Sequence, residues 1–308
     1  MSFCNFFRKI NSRKTKSDVN TADSILVYDK DGNPFNITKE SWISEVLPKE
    51  FKKEWNTPDN LYSLIVMCLN DNVDEITIQP TLHLFEIDTD RQRAYLILGL
   101  VYLKNDQLEN AEKIFKEAIE RDPKYGFYYT NLAKVYSRKG DEALSYKFLW
   151  EGISLDPNQE NAIEWISAIH FEKGGKDDRL EILETISRIP GSWRAQLWIA
   201  RDMLENGRYE NAKLLYKKIL DLASQSEDGI MMISGDLGKN GRLDDIFEIV
   251  YPIFDIEKHG INSACNIVNA CIQSNRKEFG LEILSRIKKL DRLDYIDRIK
   301  SFENQLNK

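Results

Sequence analysis

The chain has 308 residues, 42% of them hydrophobic and 30% charged, with a formal net charge of −7. This composition supports a packed core and shows no collagen-like, mucin-like or disordered bias. An acidic balance argues against nonspecific nucleic-acid binding as the main task, because phosphate contacts need concentrated Lys and Arg.

Residues 1–20 read as a flexible basic tail. They carry five basic residues against one acid, a charge of +4 that leaves −11 for the rest. A second reading gives the tail a membrane-surface or partner contact, with Phe3, Phe6 and Phe7 beside the cations. The apolar residues precede the basic ones, the reverse of a secretory signal. The longest apolar run, Leu61 to Leu69, is interrupted by Tyr62 and Ser63 and is too short for a bilayer. The four cysteines (Cys4, Cys68, Cys265 and Cys271) form no CxxC pair, so a disulfide framework is not expected. Together these features predict a cytoplasmic protein.

Residues 21–57 predict a β-hairpin followed by short helices. Ile25 to Tyr28 and Phe35 to Ile37 flank a Lys-Asp-Gly-Asn turn. Asp29, Asp31 and Asn33 alternate as in a calcium loop, but Gly32 comes too early and no Glu lies at the required distance. A turn, not a metal site, is the expectation. Thr38 should cap a helix that runs through Leu47 and stops at Pro48. Trp42, Phe51 and Trp55 should pack this segment against the helical array. Thr57-Pro58 starts a further helix, and residues 58–91 form a degenerate capping unit. Pro80 should kink the second helix of that unit.

From residue 92 to 292 one pattern recurs at a step of about 34 residues. Tyr95 to Pro123 shows it best: two short amphipathic helices joined by a tight turn. The small-residue position holds Gly99, Ala133, Ser167, Ala200, Ser234 and Val268. Leu98, Leu132, Ile166, Ile199, Ile233 and Ile267 precede it, all large and aliphatic. The turn falls at Asp106, Gly140, Gly174, Gly207, Gly241 and Asn275, residue types that tolerate left-handed backbone. The second helix holds Ala111, Ser145, Arg179, Ala212, Ile246 and Gly280 at its own small position. An apolar residue follows four later and another seven later, one face of a helix. Arg179 and Ile246 depart from the small-residue rule and predict looser packing. Residues 293–308 form a last amphipathic helix that should cap the array.

These positions resemble the tetratricopeptide repeat (TPR) family. Tyr95, Leu98, Gly99, Tyr102, Ala111, Phe115, Ala118 and Pro123 match its signature, and six units cover about two thirds of the chain. The runs LDPNQENA, PGSWRAQLWIAR and SGDLGKNGR are similar to segments of uncharacterised bacterial members. The resemblance implies an all-α fold, a right-handed α-solenoid of helix hairpins, with the small β-hairpin segment at its N-terminal side. It also implies a protein-interaction scaffold.

No catalytic pattern accompanies the repeats. His83, His170 and His259 fall in three different repeats without ligands at metal spacing, and no GxSxG, GxxxxGK[ST] or HExxH occurs. His170 sits at a core aromatic position. The expectation is a non-enzymatic adaptor with no cofactor and no metal.

By the resemblance, the first helix of each unit lines the concave wall of a groove for a peptide or helix of a partner protein. The residues placed there are Phe127, Asn131, Lys134, Arg138, Trp165, Arg194, Trp198 and Arg201. Trp165 and Trp198 hold the same position in neighbouring units, and Arg194 and Arg201 flank Trp198 on one helix. Trp and Arg most often dominate binding energy, so the set suggests aromatic anchors with cations that read a carboxylate. Alternatively, both tryptophans are packed by neighbouring helices. The family's carboxylate clamp would occupy Leu96, Leu100, Asn131, Asn161 and Trp165; only Asn131 matches, so that mode is not expected. A second function, a membrane-surface assembly factor using the basic aromatic tail with the array, stays open.

Overall fold

The structure, a computed structural model, describes residues 24–28, 34–223, 226–290 and 295–307. The basic tail, the turn with its calcium-like spacing and the expected helix start at Leu293 lie outside the described residues. Strands β1 (Ser24–Tyr28) and β2 (Pro34–Thr38) pair antiparallel, Ser24 opposite Thr38 and Tyr28 opposite Pro34. Every regular element described after them is a helix.

Two compact units divide the chain. The first runs to residue 124 and takes in 131–145; the second holds 125–130 and 146 onward. In the first unit, α1 (Lys39–Ser41) is capped by Thr38 Oγ1, which accepts from the Ser41 N–H at 3.1 Å. It continues through a π-helical turn, Trp42–Val46, into α2 (Leu47–Glu54). The helix therefore does not stop at Pro48. Leu47 N–H bonds five residues back to Trp42 O, and this wider turn absorbs the ladder bond that a proline cannot make. α3 (Pro58–Asn70) starts on Thr57-Pro58 as its sequence demands, and α4 (Ile78–Ile87) follows a short turn of tighter helix, Glu75–Thr77. Pro80 does not kink α4. It lies in the first turn, where its missing N–H would have no partner anyway.

α5 (Arg91–Lys104) and α6 (Leu108–Arg121) form the hairpin with the full repeat signature. Gly99 is required there: a Cβ on it would stand 2.4 Å from Phe115 Cζ. Trp42, Leu47, Phe51, Leu61, Ile65, Cys68, Ile97 and Val101 share one buried cluster, so the N-terminal helices are sealed onto α3 and α5. Trp55 instead stacks on His83, ring centroids 4.3 Å apart.

α7 (Gly126–Arg138) and α8 (Glu142–Leu155) cross the division between the units. The second unit continues with α9 (Glu160–Ser187), α10 (Arg194–Glu205), α11 (Tyr209–Ala223), α12 (Glu227–Lys239) and α13 (Leu243–Asp245). α13 runs into a π-helical turn, Ile246–Val250, and a tighter one, Tyr251–Ile253. α14 (Ile256–Gln273), α15 (Lys277–Lys289) and α16 (Ile296–Leu306) complete it. α9 packs on α10, and α12 on α14; α9 is itself two helices that meet at a kink at Gly174 and Gly175, the first and second helix of the third hairpin.

One stop signal ends the first helices. Asn72, Asp106, Gly140, Gly207, Gly241 and Asn275 all have φ between 53° and 79°. In each case the next residue's N–H bonds five residues back, at 2.8 or 2.9 Å, as Val73 does to Cys68 O and Gln107 to Tyr102 O. This is the Schellman closure that satisfies the last carbonyls of a helix. The third hairpin differs: Gly175, not Gly174, takes the left-handed turn, at φ 74° and ψ −148°. That region is almost closed to side chains.

The two misfits at the second small position are accommodated in different ways. Ile246 is fully buried in the π turn, and Gly238 opposite leaves room for its Cδ1 at 3.8 Å from the Cβ site. Arg179 extends until its guanidinium lies over the Trp198 indole, 5.9 Å from the ring centroid. In α16 Leu306 is admitted by Gly280, and Ile299 and Phe302 are buried as well, whereas Ile296 is exposed.

Candidate functional site

The predicted groove residues are shared between the two units. Asn131, Lys134 and Arg138 belong to the first, and Phe127, Trp165, Arg194, Trp198 and Arg201 to the second.

In the first unit Asn131 is only 5% exposed. Its Oδ1 accepts from Lys134 Nζ at 3.1 Å. Burial pushes the Lys134 ammonium below the usual lysine range. Arg138 Nη1 donates to Leu103 O at 2.5 Å and Nη2 to Asp106 at 2.9 Å, so it closes the preceding turn. Asn131 is thus a packed residue, and Arg138 a brace between repeats.

In the second unit Phe127 is exposed at the start of α7, with its ring tilted against Tyr125 at 5.3 Å. Arg194 is buried, 4% exposed. Its Nε donates to Asn158 O at 2.7 Å, Nη2 to Asp228 at 3.0 Å, and Nη1 stands 3.6 Å from Glu160. Asn158 in turn accepts from the N–H groups of Trp193 and Arg194 and so caps α10. Arg201 Nε donates to both oxygens of Asp236, at 2.9 and 3.1 Å. Tyr216 OH reaches the same carboxylate at 3.2 Å. Burial pushes the Asp236 carboxyl up, and Arg201 opposes that shift. Burial first, and the Asp236 charge second, push the Tyr216 phenol well above its usual range.

Arg194 and Arg201 are thus already paired within the chain, and a ligand carboxylate would have to compete with Asp228 and Asp236 for them. The partners were visible as a spacing: Asp228 and Asp236 stand 34 and 35 residues after the arginines, one repeat on.

Trp198 is half-buried against the core of its unit, covered on one side by Arg179. It is the packed alternative. Trp165, the equivalent residue on α9, is likewise half-buried. Beside it on α9 lie Glu164, Ala168, Phe171 and Glu172, all exposed. The spacing 164, 165, 168, 171, 172 is a single stripe along a helix. Phe171 is 52% exposed, whereas Leu103 and Leu204, at the same register in other first helices, are buried. Glu164, Glu172 and, on α10, Glu205 make no ion pair or hydrogen bond among the described residues.

The histidines have structural roles. His170 Nε2 lies 3.0 Å from Tyr146 OH, and His259 Nδ1 accepts from the Asp255 N–H at 2.9 Å. Among the described residues no group of three His, Cys, Asp or Glu side chains could hold a metal ion, and no helix is long and apolar enough to cross a membrane.

Residues 92–125 and 128–159 match the family described as tetratricopeptide repeat; these are the hairpins α5–α6 and α7–α8. No curated protein matches the chain. Several solved structures are similar. The pilF protein of Pseudomonas aeruginosa is 17% identical over 70% of this chain and 97% of its own, with a TM-score of 0.38. A thermophilic TPR protein of Thermus thermophilus is 17% identical over 59% of this chain and 99% of its own, TM-score 0.36. Yeast Tom70 is 10% identical over 85% of this chain and 58% of its own, TM-score 0.49. None of these similarities assigns a ligand. The two matched hairpins, residues 92–125 and 128–159, are tetratricopeptide repeats.

Proposed function

We propose that the protein is a non-enzymatic interaction scaffold that holds a segment of a partner protein against the first helices of its second unit. The observation that carries this reading is Phe171. It is a large apolar side chain left half in water at a register where the equivalent leucines are covered. An exposed aromatic on a rigid helix contributes contact area at low entropic cost, which is what a recognition surface requires. Trp165 extends the apolar strip, and the Arg194 and Arg201 pairings hold α9, α10 and α12 in fixed relation beneath it.

A photo-cross-linking amino acid placed at position 171 tests this, with position 214 as the comparison. Leu214, on α11, is 68% exposed and is the obvious competing apolar surface. Cross-linked partners should be recovered through position 171 and not through 214. Recovery through 214 alone would move the binding face to the second helices and defeat the assignment.

A further inference from the structure

The first helices of the second unit carry the opposite charge to the one their arginines suggest. Arg194 is balanced by Glu160 and Asp228, and Arg201 by Asp236. The carboxylates of Glu164, Glu172 and Glu205, on the helices that carry Phe171, Trp165 and Trp198, form no ion pair among the described residues; Lys176 and Arg208, four and three residues beyond Glu172 and Glu205, are taken up by Asp202. Glu205 also acts on its surroundings: its charge helps to push up both the Tyr216 phenol and the Asp236 carboxyl. An exposed aromatic strip between unpaired acids is complementary to an apolar segment that brings its own cations. The Lys173 cation nearest in sequence is turned to the other side, over the Tyr146 ring at 5.4 Å.

We infer that the face formed by Glu164, Trp165, Phe171 and Glu172 on α9, with Glu205 on α10, takes a basic segment of a partner protein. Its cations pair with the three glutamates, and an apolar side chain between them packs on Phe171 and Trp165. Glu164 and Glu172 are two helical turns apart, roughly 12 Å at the helical rise. An extended segment lying along α9 therefore meets both with cations about four residues apart. This inference rests on the scaffold reading above and adds the chemistry of the partner.

The test is selection of random peptides displayed on phage against the full chain, followed by fluorescence anisotropy of the enriched peptides. Basic peptides with an apolar residue between their cations should be enriched. Their affinity should fall about tenfold in the Glu164→Gln, Glu172→Gln, Glu205→Gln variant, with a flatter salt dependence. All three carboxylates are exposed and unpaired, so the variant should melt with the parent. A control with the same change in net charge, Glu184→Gln, Glu210→Gln, Glu278→Gln on second helices, should bind as the parent does. Equal loss in both variants, or enrichment of acidic or neutral peptides, would overturn the basic-segment inference. In that case the scaffold reading survives if Phe171→Ala still weakens binding. If no peptide is enriched, both readings fail. Self-association of the chain that disappears only in the first variant would assign the face to a second copy and likewise overturn the inference.

Discussion

Arg194 and Asp228 stand 34 residues apart in sequence, with Nη2 and Oδ2 3.0 Å apart in space. The same guanidinium lies 3.6 Å from Glu160 on α9, so one side chain ties three successive first helices. In a repeat fold each unit contacts mainly its neighbours, and stability is a sum of such joints. Arg194→Met keeps the buried stem but removes the bonds to Asn158 and Asp228. The expected loss is roughly 2 kcal/mol, in the range for removing charge-assisted bonds whose acid partners can turn to water. Arg194→Lys should restore less than half, since an ammonium cannot serve both acids and the Asn158 carbonyl at once. Urea unfolding of the three proteins measures both; a Met variant as stable as the parent would show the joint to be idle.

Two glycines separate steric from conformational demand. At Gly99 an added methyl would sit 2.4 Å from Phe115 Cζ, so Gly99→Ala should cost about 3 kcal/mol by overpacking. Gly140 has nothing within 4 Å but a φ of +79°, so Gly140→Ala should cost only about 1 kcal/mol of backbone strain. The combination Gly99→Ala with Phe115→Leu should recover part of the first loss and none of the second. Thermal melts of the set test this, and equal losses at the two glycines would refute the distinction.

Some of this architecture was legible because it is periodic. The small, large and turn residues recur at one step, and each class answers to local physics that a sequence displays. Asn72 was equally readable: it lies 34 residues before Asp106 and shares its left-handed turn. The side-chain traffic between repeats was not. Whether Arg194 faces solvent or Asp228 depends on where the next first helix comes to rest, and charge sign alone does not reveal it. The same holds for Trp165 and Trp198: both are partly buried, and nothing in their shared register announces that Arg179, oversized for its position, extends over Trp198. Pro48 and Pro80 misled for a related reason. A proline marks a missing N–H, but a π turn or a helix start can absorb it.

Glu112 gives a pH dependence with a defined sign. Its carboxylate accepts from Lys116 Nζ at 2.6 Å, Lys139 Nζ at 2.7 Å and Tyr136 OH at 2.9 Å. The hydrogen bonds of the two lysines hold it down at about 2, against an ordinary 4.5. A depressed acid contributes stability that is complete above its unfolded value and is lost as pH falls from 4.5 towards 2. Water screens the lysines, so the contribution is about 1 kcal/mol, not the full linkage value. Glu112→Gln should lower stability by that amount at neutral pH, less in high salt, and by nothing once the acid is protonated. A difference that persists unchanged into strong acid would show the loss to be one of packing.

Lys134 should show the reverse. It is largely buried, its ammonium donates to the neutral Asn131 carboxamide, and burial lowers its pKa from the ordinary 10.5. Between the folded value and 10.5 the unfolded chain binds more protons than the folded one, so stability rises with pH across that window. At neutral pH the ammonium is charged in a place that disfavours charge. Lys134→Met, of similar length and apolar, should therefore stabilise the first unit by about 1 kcal/mol at neutral pH. The gain should shrink as pH approaches the ordinary lysine value, where the parent loses its buried charge. Urea midpoints of parent and variant at neutral and alkaline pH decide it. A Met variant less stable than the parent at neutral pH would mean that the Asn131 bond outweighs the cost of burying the ammonium.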